Sequence, residues 1–186
     1  MKFNDHWKLN GKHAMFSPSQ AAWLRYSDER AAEIYEGKKA AERGTRLHAW
    51  AKDTIDLGIK MGKSKKTLNM YVNDAIGFGM KTEVILYYSD RFFGTADTIC
   101  FRDDVLRIHD LKTGKHPVTM DQLKVYAALF CLEYRIKPKN ILMELRVYQN
   151  DQIEILNPEA AEIEEIMKKI AHLDALMASI DSDEED

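Results

Sequence analysis

Between Thr82 and Lys112 the sequence contains three consecutive strand-like segments with only short turns between them. Ser89-Asp90 forms the first predicted turn, and Arg102-Asp103-Asp104 forms the second. Turns this short join antiparallel neighbours, whereas a parallel pair needs a longer crossover connection. The segments therefore predict an antiparallel meander of three strands, over residues 82–88, 92–101 and 105–112.

Helical spacing of apolar residues flanks this meander on both sides. We predict a mostly helical region over 17–78, with a capped start at Ser17-Pro18-Ser19, and a helix that begins near Ala41 and ends near Leu57. The further predicted elements are a helix at 67–77, a helix at 119–135, strands at 141–148 and 152–156, and a core-facing helix at 158–178. This order predicts an α+β or α/β domain with a mixed sheet.

The composition excludes several classes of protein. Of the 186 residues 45% are hydrophobic, which suffices for a sizeable core, and no apolar run approaches the roughly 18 residues that span a membrane. The two cysteines, Cys100 and Cys131, exclude a disulfide scaffold and any site built from four cysteines of this chain. Since the N-terminus also lacks an apolar signal segment, we expect a cytoplasmic protein.

Charge is distributed unevenly along the chain. Residues 1–150 contain 25 Lys and Arg against 18 Asp and Glu, whereas residues 151–186 contain 2 against 12. The excess of positive charge would allow the first segment to bind a polyanion, whereas the acidic tail at 181–186 would repel one. Alone this is a weak signal, because runs of charge are usually solvated surface.

Asp110-Leu111-Lys112 is the first of four signals that point to one chemistry. Alternate residues of a strand share a face, so this carboxylate and this ammonium project together. A carboxylate can hold a hard divalent cation, and the lysine places a positive charge beside it. The competing interpretation is an ordinary surface ion pair.

Gly94-Thr95-Ala96-Asp97 is the second signal. An antiparallel neighbour can place Asp97 beside Asp110, and two converging carboxylates are costly unless something positive lies between them. Gly94 lacks a side chain and so permits the close approach of another group. A magnesium or manganese ion satisfies this arrangement, whereas the competing interpretation is that Asp97 simply ends a strand.

Two pairs of residues spaced by four supply the remaining signals. Gly44 and His48 share a helix face that can lie close to the sheet, and one imidazole with two carboxylates suits manganese or magnesium. Gln122 and Tyr126 share a face of the next helix, where an amide and a phenol can bind a phosphate or stack on a base. Taken alone, each pair is more often explained by core packing or by ordinary solvent-exposed residues.

The chain contains, in this order, the motifs Gly44-x-x-x-His48, Gly94-x-x-Asp97, Asp110-x-Lys112-Thr113-Gly114 and Gln122-x-x-x-Tyr126. Together they resemble the RecB-like branch of the PD-(D/E)XK nuclease superfamily, phage-type exonucleases included. Glu83 also resembles an accessory acidic position of that branch. The resemblance implies a restriction-endonuclease-like αβββαβ core, with a central mixed sheet flanked by helices. It implies one nuclease domain over 1–180, with a helical part at 17–78, a catalytic core at 81–150 and the last helix at 158–178.

The expected activity is that of a divalent-metal-dependent deoxyribonuclease, an exonuclease of phage-type DNA recombination or processing that leaves 5′-phosphates. His48, Asp97, Asp110 and the Leu111 carbonyl are the expected ligands of one or two Mg²⁺ or Mn²⁺ ions. Lys112 is expected to orient or deprotonate the attacking water, and Gln122 and Tyr126 to hold the strand.

Charge suggests phosphate contacts for Arg43, Arg46 and Lys115. Several relatives hold an iron–sulfur cluster with four cysteines, which are missing here, so we expect no cluster.

DNA is the expected partner, a recombination protein and a homo-oligomer are compatible with the resemblance, and no membrane is expected. For a phage-encoded protein the cytoplasm would be that of the host cell. Two alternatives stay open from the sequence. One is a catalytically silent module that uses the nuclease fold to bind or assemble on DNA. The other is a structural or host-interaction protein in which Asp110 and Lys112 merely pair.

Overall fold

The computed structural model describes residues 4–114 and 119–184. By their contacts these residues form two units, divided between Arg43 and Gly44. The division falls inside a single helix, α1 (Asp28–Asp56). The extent of the predicted domain, 1–180, stays a prediction.

The first unit contains two 3-10 helices, Trp7–Leu9 and Pro18–Arg25, and the first turns of α1. The predicted cap at Ser17 is wrong in its chemistry, because the Ser17 hydroxyl bonds the Ser19 hydroxyl at 2.8 Å and caps no backbone N–H. Its carbonyl oxygen instead accepts a 2.9 Å bond from the Trp23 indole.

Helix α1 begins thirteen residues earlier than the predicted start near Ala41. Its first turn follows Ser27, whose hydroxyl accepts a bond from the Arg30 N–H at 3.3 Å and whose carbonyl accepts one from Ala31. The early turns are mostly charged residues and alanine, and most of their side chains are exposed. They therefore lack the apolar stripe from which a helix is recognised in sequence.

The second unit is built on a five-stranded mixed sheet flanked by helices, as predicted. Its strands lie in sequence order, and the first three form the predicted antiparallel meander. The third and fourth strands are parallel, and the fourth and fifth antiparallel. The elements are α2 (Thr67–Phe78), β1 (Lys81–Ser89), β2 (Phe92–Arg102), β3 (Val105–Leu111), α3 (Asp121–Glu133), β4 (Leu142–Gln149), β5 (Gln152–Leu156) and α4 (Ala160–Glu184).

Two apolar clusters hold this unit together. The larger lies where α3 and α4 pack on the sheet, around Leu106, Leu123 and Ile163. The smaller joins α1 and α2 to the sheet and contains Ala51 and Tyr148. Ala51 and Ile55 give the second half of α1 its inward face. Removal of these side chains from water stabilises the sheet between its helices.

The side-chain alternation of β1 and β2 reverses where Glu83 and Asp97 face each other. Ladder pairing holds on both sides of this position, but Glu83 adopts a left-handed backbone with φ +47°. Ala96 and Ile99 are three residues apart, and yet both pack in the α3 cluster. Residues of a regular strand at that spacing point to opposite faces. The irregularity therefore lies at the predicted acidic positions.

Helix α4 confirms the predicted apolar stripe, with Ile163 and Ile170 buried. The helix continues to Glu184, so the described part of the predicted acidic tail is helical. Asp181 bonds the Arg91 guanidinium at the tip of the β1–β2 hairpin, and Asp174 bonds the Ser89 hydroxyl at 2.7 Å. Within the described residues, no helix combines the length and hydropathy needed to span a membrane.

Candidate functional site

The predicted residues meet in a notch at the end of β3. The ladder between β2 and β3 begins at Thr98 and His109, so in the described residues β2 has only β1 as its neighbour over 92–97. The hairpin therefore extends past the C-terminal end of β3. Asp97 lies at the point where the two strands separate, and Asp110 lies near the end of its own strand.

Asp97 joins three elements. Its Oδ2 accepts a 3.0 Å hydrogen bond from the Leu111 N–H of β3 and lies 3.3 Å from His48 Nδ1 of α1. The hydrogen bond to Asp97, reinforced by the charges of Asp97 and Asp110 against partial burial, raises the pKa of His48. The predicted convergence of His48 with the two aspartates is thus present as an electrostatic cluster.

Asp110 is the buried carboxylate of the cluster, with 3% of its surface exposed. The Lys112 ammonium donates to its Oδ1 at 3.1 Å. That ammonium is also 3.0 Å from Oδ2, without the geometry of a hydrogen bond, so this buried oxygen has an ionic neighbour but no hydrogen-bond partner. Burial and the nearby Asp97 charge raise the pKa of Asp110, although Lys112 opposes them.

A chain of polar contacts leads from Lys112 to α3. The Lys112 ammonium donates to Gln122 Oε1 at 2.8 Å, and Gln122 Nε2 donates to the Tyr126 hydroxyl at 3.2 Å. A Cβ at Gly94 would stand 2.9 Å from Tyr126 Cε1, so the missing side chain allows the phenol ring to lie against β2. Gln122 and Tyr126 therefore share the notch with the Asp-x-Lys motif.

Gly44 permits a second close approach. A Cβ there would stand 2.7 Å from Thr113 Oγ1, which is closer than side chains normally tolerate. Thr113 directly follows β3 and Lys112. The predicted close approach at Gly44 is confirmed, since the α1 face that bears His48 lies directly against the end of β3.

Two residues that the sequence interpretation missed share a recess with predicted ones. Lys52 and Tyr71 line it together with His48, Glu83 and Asp97. Lys52 stands four residues after His48 on α1, a spacing that could have identified it. Tyr71 of α2 is almost fully buried, and that burial together with the Asp97 charge raises its pKa.

The remaining predicted residues have different outcomes. Arg43 and Arg46 are exposed on α1, and Arg46 makes no hydrogen bond or ion pair with another described residue. Lys115 lies outside the described residues. Leu111 reaches Asp97 through its N–H, whereas its carbonyl was the predicted ligand.

The arrangement of potential metal ligands is looser than that of a closed metal site. Among residues 4–114 and 119–184, no three His, Cys, Asp or Glu side chains converge closely enough to hold an ion as they stand. The two carboxylates instead contact Lys112, His48 and the Leu111 N–H.

Comparison with known proteins supplies a partial family match. A family model described as "Protein of unknown function (DUF2800)" matches residues 83–134, which include Glu83, Asp97, Asp110, Lys112, Gln122 and Tyr126. No curated protein matches. A solved structure entitled "Crystal structure of SSO0001" is 14% identical, with a TM-score of 0.37 over 82% of this chain and 68% of that one. That TM-score supports no statement about fold or function.

Proposed function

We propose that this protein is a divalent-metal-dependent deoxyribonuclease related to the RecB-like branch of the PD-(D/E)XK superfamily. The observation that carries the proposal is the clustering of His48, Asp97, Asp110 and Lys112. These residues come from α1, β2 and the end of β3, and they meet beside Gln122 and Tyr126 of α3. A histidine and two carboxylates can hold a divalent metal, and a lysine can neutralise charge on the phosphate, which together suit metal-assisted phosphodiester hydrolysis.

The donor atoms suit a hard divalent cation. Asp110 offers a buried oxygen without a hydrogen-bond partner, Asp97 offers a carboxylate oxygen, and His48 offers an imidazole nitrogen. Oxygen donors with one imidazole fit Mg²⁺ and Mn²⁺. Small rotations of the three side chains must accompany binding, because their present partners are one another, Lys112 and the Leu111 N–H. When bound, the ion would supply Lewis-acid neutralisation of charge on the phosphate.

The chain's own side chains would position the DNA strand and supply a mobile positive charge. The Lys112 ammonium, held between Asp110 and Gln122, can donate to the attacking water or to a non-bridging phosphate oxygen. The Tyr126 hydroxyl and Gln122 amide can hydrogen-bond the next phosphate of the strand. Lys52, on the same α1 face as His48, adds a cation at the recess. Charge and alignment of this kind are large contributions to phosphoryl-transfer catalysis.

Digestion of end-labelled DNA tests the proposal. The purified full chain is incubated with linear, circular and single-stranded DNA in Mg²⁺, in Mn²⁺ or in chelator. We expect metal-dependent products with 5′-phosphates, and loss of product in the Lys112→Met variant. Lys168→Met, at an exposed lysine of α4 with no predicted contact to DNA, serves as the matched control. Equal digestion by the wild type and the Lys112 variant would assign the activity to a contaminant.

One observation favours a second candidate, a DNA-binding module without turnover. The described side chains include no group of three that is already placed for an ion. This candidate predicts salt-dependent binding of DNA that is indifferent to the divalent metal, with no product under any cation. The digestion experiment therefore separates the two candidates.

A further inference from the structure

The β1–β2 hairpin exposes an apolar face next to the candidate site. Ile85, Tyr87 and Phe93 are 60%, 46% and 60% exposed. Their strand neighbours Leu86 and Phe92 point the other way and pack in the α3 cluster. We call the exposed face of Ile85, Tyr87 and Phe93 the hairpin ledge. Large exposed apolar side chains grouped on one face indicate a binding surface.

The hairpin ledge continues directly from the site along both strands. Tyr87 pairs with Phe93, and Ile85 pairs with Thr95. Ile85 is two residues beyond Glu83 on β1, and Thr95 is two residues before Asp97 on β2. At the rise of an extended strand, Phe93 lies about 13 Å from Asp97 along β2. A nucleic-acid strand with one phosphate at Asp97 can therefore reach the ledge with its neighbouring nucleotides.

The aromatic end of the ledge is held in place by polar contacts. The Tyr87 hydroxyl donates to Asp90 at 3.0 Å, and the Tyr87 N–H donates to Glu133 at 2.8 Å. At the hairpin tip, Ser89 and Arg91 bond Asp174 of α4. The strands beneath the ledge are therefore tied to α3 and α4, which gives the two rings a fixed support.

We infer that the hairpin ledge binds the unpaired bases of a single nucleic-acid strand whose phosphate lies at the Asp97–Asp110 site. The inference rests on the proposed function. Exposed aromatic rings stack on bases of any sequence, because every base has a π-face. The surface area of three half-exposed side chains is far smaller than the roughly 800 Å² that each partner buries in a stable protein interface, so a protein partner fits the ledge less well. Paired bases of a duplex hide their faces in the helical stack, so the ledge selects single-stranded ends.

Fluorescence anisotropy with a labelled single-stranded oligothymidine tests the ledge, with the full chain in chelator so that no cleavage occurs. We expect Phe93→Ala to raise Kd about tenfold, which is typical for loss of one stacked base. Phe93→Leu should raise Kd nearly as much, because leucine is apolar but cannot stack. The matched control is Tyr134→Ala, which removes a 53% exposed aromatic residue at the end of α3 and should leave Kd unchanged. Circular dichroism verifies that each variant is folded.

An abasic strand of equal length supplies the decisive comparison. The wild type should bind it at least about tenfold more weakly than the oligothymidine, and Phe93→Ala should bind the abasic strand with nearly the wild-type affinity. Binding of a blunt duplex should change little in Phe93→Ala.

Equal affinity of the wild type for abasic and normal strands would overturn the inference, and so would a normal Kd for Phe93→Leu. A concentration-dependent dimer abolished by Phe93→Ala would assign the ledge to a second copy instead. Absence of cleavage by the wild type in Mg²⁺ or Mn²⁺ would contradict only the proposed nuclease, since the binding arm needs no metal.

Discussion

Two clusters of ionisable side chains lie at neighbouring residues of β3, and they differ in how permanent cations balance their carboxylates: the site cluster has two carboxylates against one lysine. The site cluster contains Asp110 and faces the notch, where the His48 and Asp97 side chains are 34% and 24% exposed. The second cluster, around His109, lies where α2 covers the sheet. It consists of Asp74, Arg107, His109, Glu144, Arg146 and Tyr148, and we call it the rear network.

The charges of the rear network are paired internally. Arg146 bonds Asp74 at 3.0 Å and Glu144 at 3.0 Å, and Arg107 lies 3.3 Å from Glu144. Both guanidinium groups lie over the Phe78 ring, within 5.0 Å of its centroid. Two arginines balance two acids, so the network has no excess charge to attract an ion, although Arg107 Nε and His109 Nε2 lack hydrogen-bond partners in the described part of the chain. A dense group of ionisable residues thus marks a site only where some of its charge remains unbalanced.

Removal of the Asp110 charge should produce the largest effect and the clearest contrast. In the proposed nuclease, Asp110→Asn should lower kcat by about a thousandfold or more, because a metal ligand and the Lys112 partner are lost. The metal-free variant should be no less stable than the wild type in urea, since a buried, destabilised carboxylate has been replaced. A large loss of stability with retained activity would place Asp110 in the same structural class as the rear network.

Gly44→Ala should reduce activity through geometry alone. The new Cβ would meet Thr113 Oγ1 at 2.7 Å and push the His48 face of α1 away from β3. We expect about a hundredfold lower kcat, the scale of a misplacement near 1 Å. Alanine is the better helix former, so loss of helix cannot explain a defect. Thr113→Ala in the same chain should restore most of the activity, and failure of this rescue would contradict the steric explanation.

The rear network should make the metal-free protein sensitive to acid. Burial, with Arg146 and Arg107 nearby, lowers the pKa of His109 to about 3. The unfolded chain has a His pKa of about 6.5, so this contribution to stability is complete above pH 6.5 and declines as the pH falls toward 3. Between pH 7 and pH 5 the free energy of unfolding should fall by about 2 kcal/mol from this group. Urea titrations in chelator measure it, and His109→Gln should flatten the dependence; an equal slope in both proteins would contradict it.

Tyr148→Phe should have the smallest effect and should change stability without changing catalysis. The Tyr148 side chain is fully buried, and its hydroxyl donates to Asp74 at 2.7 Å. Loss of this bond should cost about 1–2 kcal/mol. Denaturant unfolding measures the loss, and kcat for DNA at saturating metal should remain near the wild-type value. A strong decrease in kcat would connect the rear network to the site.

The strength of local signals explains how much the sequence could predict. Short turns and apolar alternation fixed the meander, and four-residue spacing fixed α2, α3 and α4, because each pattern is local along the chain. The start of α1 was missed, since its first turns are exposed and lack an apolar stripe. Lys52 was missed because one lysine on a helix is ordinary until its neighbours are known.

The sequence by itself determined the order of the elements and which residue types were available for chemistry at the ends of α1, β2 and β3. The tertiary structure alone decided that Glu83 takes a left-handed backbone opposite Asp97, and that the buried neighbours His109 and Asp110 join different clusters. The physical reason is that turn and helix preferences act over a few residues. The burial of a charge and the meeting of groups from α1, β2 and β3 depend on packing between segments far apart in the chain.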